Sequence, residues 1–78
     1  MNAYYASHPV ARSHIAAVED TDYSAFGAIA VVCLTAGNAV IRDLNAVDVT
    51  YPMTAGQVLY IQAHSIRAAS TGTYALWF

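Results

Sequence analysis

From Val47 onward apolar and polar positions alternate with a period of two, the spacing that sends successive side chains to opposite faces of a strand. In Gln57–Ala63, Val58, Tyr60 and Gln62 share one face, and Leu59, Ile61 and Ala63 the other. Both faces are largely apolar, so this strand is expected inside a sandwich or with its second face covered by a neighbouring subunit. Thr73–Phe78 alternates in the same way, with Tyr74, Leu76 and Phe78 set against Thr73, Ala75 and Trp77. Such a heavy terminal run frays unless it docks into a sheet or a partner.

Turn signals punctuate the strands at the spacing of sandwiches and barrels. Gly37-Asn38 separates the apolar runs Ala28–Leu34 and Ala39–Leu44, and glycine at a first central position suits a type II′ hairpin. Further breaks are expected at Leu44-Asn45, Pro52 to Gly56, His64-Ser65 and Ser70-Thr71-Gly72. A helix over Ala25–Ala36 competes on alanine content, but Ile29, Val31, Val32 and Thr35 favour a strand. The expected fold is all-β: a small antiparallel β-sandwich or jelly-roll-like domain over residues 19–78. Residues 1–18, broken by Pro9, form an extended N-terminal arm before it.

Composition changes the picture in one direction. Charged residues make up only 10% of the 78, against about 25% in an ordinary soluble domain, and lysine is absent. Hydrophobic residues reach 58%, much of it alanine. A core this small ordinarily needs a disulfide, a metal or a partner subunit, and the single cysteine, Cys33, excludes an internal disulfide. Subunit contacts are the expected answer. Arg12, Arg42 and Arg67 are spread along a chain of net charge −2, which provides no basic stripe for direct nucleic-acid binding. Tyr23–Ile41 runs uncharged for nearly the length of a membrane span. Gly27, Gly37-Asn38 and the β-branched residues within it argue against a membrane helix.

Candidate chemistry is sparse. Cys33 lies in an apolar strand without a Cys or His at ligand spacing and reads as a buried inert thiol. His8, His14 and His64 form no metal-binding pair on one chain, although a symmetry axis could gather copies of one of them. Glu19-Asp20-Thr21-Asp22 lacks the glycine and distal glutamate of an EF-hand loop, so Asp20 and Thr21 are expected to make a turn or cap. No nucleophile elbow or phosphate-cradling loop is present, and neither an enzyme activity nor a cofactor is expected. The aromatic residues Tyr4, Tyr5, Tyr60, Tyr74, Trp77 and Phe78 are the candidate interface residues, with Tyr4-Tyr5 as an anchor that docks on another protein. A carbohydrate- or receptor-binding module using Tyr51, Tyr60, Tyr74 or Trp77 is the alternative from another functional class. A small membrane protein built on Tyr23–Ile41 is a further one.

The order of these elements resembles the spike base proteins of gene transfer agents and related tailed phages. It carries Asp20-Thr21, then Ile29-Ala30-Val31, Ala36-Gly37, Val49-Thr50, Ala55-Gly56 with Leu59-Tyr60-Ile61, and Ile66-Arg67-Ala68 with Thr71. Val58-Leu59-Tyr60 departs from the Leu-Pro pair expected after the second Ala-Gly turn. The resemblance implies a virion protein assembled in the bacterial cytoplasm and set on the capsid, often at a vertex, as the platform for a fibre. Its partners would be copies of itself, as a pentamer or trimer, and the capsid and fibre proteins, with neither nucleic acid nor membrane among them.

Overall fold

The computed structural model describes residues 10–78 and contains two antiparallel sheets. In chain order the strands are β1 (His14–Ala16), β2 (Ala30–Thr35), β3 (Gly37–Asp43), β4 (Asp48–Met53), β5 (Val58–Leu59), β6 (Ala63–Ile66) and β7 (Thr73–Trp77), with one 3₁₀ turn at Ser24–Phe26. The first sheet has the order β1-β7-β2-β5 and the second β4-β3-β6. This is the expected all-β sandwich.

The core forms where the two sheets meet. Val31 and Cys33 of β2 and Tyr74 and Leu76 of β7 face Ala39 and Ile41 of β3, Met53 of β4 and Ala63 and Ile66 of β6, with Tyr23 joining them from the loop before β2. The period-two spacing places each pair on one side of its strand. Complete burial of a side chain such as Leu76 or Ile41 contributes ~1.5–3 kcal/mol. Cys33 is buried as expected, and its thiol lies 3.3 Å from the Thr35 carbonyl.

Three local expectations give way to non-local pairing. The apolar runs on either side of Gly37-Asn38 do not pair with each other: β2 belongs to the first sheet and β3 to the second, and the chain crosses between them at Ala36. Gly37 is not in the left-handed region that a II′ turn requires. The hairpin over this part of the chain is β3–β4, closed where the Asp43 carboxylate accepts the backbone N–H groups of Asn45 and Val47 at 2.8 and 3.0 Å.

Gln57–Ala63 is likewise not one strand. Val58-Leu59 pairs with β2, the chain then changes sheet, and Ala63–Ile66 pairs with β3 through the expected break at His64-Ser65. Its two apolar faces come from serving two sheets in turn. Finally, Pro52 lies within β4 rather than ending it, on an edge strand where a missing N–H is tolerated. Within the stretch read as an arm, His14–Ala16 pairs with β7 of its own chain.

The segment after β6 completes the edge of β3 with side chains instead of a strand. Ser70 Oγ accepts the Val40 N–H at 2.8 Å and Thr71 Oγ1 the Asn38 N–H at 2.9 Å, while the Thr71 N–H donates to the Asn38 carbonyl at 2.9 Å. The backbone groups of β3 on that side are thereby paired.

Candidate assembly surface

Residues directly opposite each other in an antiparallel pair share a face, so the registers define the outer side of the first sheet. His14, Trp77 and Ala30 form one row across it, and Ala16, Ala75, Val32 and Val58 the next. None of the four strands carries an Asp, Glu, Lys or Arg. Ala30 is wholly buried although it lies on the outer side, with the bulky Trp77 as its direct cross-strand neighbour. Leu34, at a bulge between Cys33 and Thr35, is 52% exposed, and Tyr60, immediately after β5, is 59% exposed. Apart from His14, this side presents only aliphatic and aromatic side chains and no Asp, Glu, Lys or Arg.

The second sheet is its opposite. Asn38, Thr50 and Pro52 lie on its outer side, where the cross-strand pair Arg42–Asp48 forms a fork of two hydrogen bonds at 2.7 and 3.2 Å. The hydrogen bond from Arg42 holds the Asp48 carboxyl below its ordinary range, and Asp48 in turn raises the guanidinium. Around its margin, Arg67 lies 3.3 Å from Asp20, and His64 3.3 Å from Asp22. Asp22 accepts the Ser24 N–H two residues on, the local kind of bond expected of Asp20 and Thr21, whereas Asp20 instead accepts the Ala68 N–H from far along the chain, because the fold brings that segment beside it. Both Arg–Asp ion pairs of the described residues, and the His64–Asp22 contact, therefore lie away from the strands of the first sheet.

The aromatic candidates are not gathered at one place. Tyr60 and Trp77 belong to the outer side of the first sheet. Tyr74 is buried in the core, where its hydroxyl donates to the Thr71 carbonyl at 2.6 Å and burial raises its pKa; it is not available to a partner. Tyr51 is half-buried and packs against the same core from β4. The four rings considered for a sugar platform thus occupy three different environments. Tyr4, Tyr5 and His8 lie outside the described residues.

Phe78 joins an aromatic cluster that sequence reasoning did not assemble. Its ring centroid is 6.3 Å from Tyr23 and 6.2 Å from Phe26, and those two rings are 6.4 Å apart. Together with Ser13, His14 and Ile15 they line a cleft of about 290 Å³, with Phe26 66% exposed at its side. No periodicity links positions 23, 26 and 78. Only the pairing of β7 with β1 and β2 brings them together.

Among the described residues, no group of three or more His, Cys, Asp or Glu is placed to hold a metal ion, and no helix is long and apolar enough to cross a membrane. Tyr23–Ile41 instead contains β2 and most of β3, in different sheets.

No protein-family model and no curated protein matches this sequence. Among solved structures, the chain matches one from the capsid of a native GTA particle computed with C5 symmetry, over 100% of both chains, with a TM-score of 0.74 and 24% sequence identity. That likeness shows that the two chains share this sandwich fold.

Proposed function

We propose that this chain is a structural subunit of a phage-like particle, set on the capsid as a spike base or decoration protein that assembles symmetrically and anchors a fibre. The observation that carries the reading is the division of the sandwich into an uncharged outer sheet and a charged one. A face of Trp77, Ala75, Val32 and Val58, continued by Leu34 and Tyr60, suits burial against protein, while the Arg42–Asp48 side suits water. The full-length match to a chain of a GTA capsid particle supports the same reading, as does the order of motifs from Asp20 to Thr71. The work of such a subunit is geometric: one face to the shell, one to sister subunits and one to the fibre.

The test is the mass of the purified protein by light scattering, with and without a chelator, followed by co-sedimentation of tagged protein with particles from a producing culture. A discrete chelator-insensitive ring of three, five or six copies and recovery in the particle fraction are expected. A protein that stays a folded monomer at micromolar concentration and is missing from particles would overturn the proposal.

A further inference from the structure

The uncharged sheet face is too small to hold a ring together by itself. Four strands about 4.8 Å apart and about five residues long cover roughly 300 Å², whereas a stable interface buries about 800 Å² per partner. Assembly needs a second contact, and the aromatic cleft supplies a place for one.

We infer that the cleft lined by Tyr23, Phe26 and Phe78 receives Tyr4-Tyr5 of a neighbouring copy, so that subunits are linked by exchanged N-terminal arms; this rests on the reading of the chain as an assembling subunit. The cleft, at about 290 Å³, lies at the lower end of the range for small-molecule sites and fits one or two side chains better than a sugar chain. Its aromatic walls suit another aromatic ring, in the tilted and edge-on contacts that Tyr23, Phe26 and Phe78 already make with one another.

The course of the described chain points to the same occupant. The backbone N–H groups of Arg12 and Ser13 both donate to the Phe78 carbonyl, so the chain that leads in from Val10, which nine residues precede, passes the rim of the cleft. Those residues include two adjacent tyrosines and no Asp, Glu, Lys or Arg, which matches an uncharged cleft. A neighbour's cleft is favoured over the chain's own. The chain bends at Arg12, but between Ala6 and Ala11 there is no Gly, Asn or Asp to turn it further, and Pro9 biases His8 towards extended backbone. From the bend at Arg12 back to Tyr5, an extended stretch would span about 23 Å. In a rotationally symmetric arrangement such a head-to-tail contact closes into a ring.

Disulfide trapping tests this on the full chain. Ala6→Cys is made in one tagged copy and Ala25→Cys, exposed beside Phe26, in another, and the two are mixed and oxidised. The expected result is a covalent heterodimer, with Tyr4→Ala/Tyr5→Ala lowering its yield and weakening self-association roughly 30-fold, the effect of losing an interface hot spot. A ring that persists by light scattering without any heterodimer overturns the arm contact and leaves the assembly reading intact. An intrachain bond in a monomeric Ala6→Cys/Ala25→Cys double variant overturns exchange between copies. A folded monomer with no cross-link of either kind overturns both.

Discussion

Gly37 and Gly72 lie back to back where the chain crosses between the sheets. A Cβ on Gly37 would overlap the backbone of Thr71 and Gly72, and a Cβ on Gly72 would overlap the carbonyl of Thr35. Two of the four crossings between the sheets, β2 to β3 and β6 to β7, pass through this point. Gly72 also has φ +81°, which side chains disfavour, whereas Gly37 is required only for the close approach. Gly37→Ala is therefore expected to cost about 1–3 kcal/mol by overpacking, and Gly72→Ala more, because backbone strain adds to the overlap. Urea midpoints rank the two: equal stability of Gly37→Ala and the parent would refute the contact.

Ser70 stands in for a missing strand by accepting the Val40 N–H. Ser70→Ala leaves that half-buried donor without its partner and is expected to cost about 1–3 kcal/mol. Hydrogen exchange provides the local signature, with faster exchange at Val40 and an unchanged rate at Ile41.

Tyr74 connects burial to an alkaline limit. Burial raises its pKa above 10.0, so the neutral phenol is favoured in the folded state. The associated stability is complete below about pH 10 and is lost as pH rises through the raised folded value. Tyr74→Phe is expected to cost about 1 kcal/mol near neutrality, through the lost bond to Thr71, and to show a shallower loss at high pH. A parallel pair of melting curves above and below pH 10 decides the matter.

At the acid end the sign reverses. Arg42 holds the Asp48 carboxyl low, and hydrogen bonding by Ser24 does the same for Asp22. Each contributes stability that is present above the ordinary carboxylate range and is lost as pH falls through the lowered folded value. Both groups are exposed, so the effect is small. Asp22→Asn/Asp48→Asn is expected to narrow the difference in melting temperature between neutral and acidic buffer, and an unchanged difference would remove these carboxylates from the account.

Ala46 in the β3–β4 turn has φ +63°, in the left-handed region. Replacing it by glycine relieves a strain of about 1 kcal/mol, less the added freedom of the unfolded chain. Ala46→Gly is expected to raise the melting temperature by a few degrees, and a lower one would count against strain at this turn.

The two outer faces predict different sensitivity to charge. Leu34→Lys and Tyr60→Lys, both at exposed positions, should leave folding within about 0.5 kcal/mol and abolish assembly. Thr50→Lys on the second sheet should change neither. Assembly that tolerates the first two substitutions and fails with the third would place the interface on the wrong side.

The all-β class, the buried Cys33 and the poverty of charge were legible in the sequence, because each follows from local alternation, residue type or count. A period of two reveals that a strand has two faces but not which strand will lie beside it. For that reason Gly37-Asn38 reads as a hairpin although the chain crosses sheets there, and Gln57–Ala63 reads as one strand although it serves two. Glycine is ambiguous in the same way, since it answers either a positive φ or a need for no Cβ, and only the approach of Thr71 selects the second at Gly37. Tertiary structure alone decided that Tyr74 is buried while Tyr60 is exposed, and that Tyr23, Phe26 and Phe78 share a cleft. These outcomes depend on contacts between residues distant in sequence, whose energies emerge only once both sheets are packed.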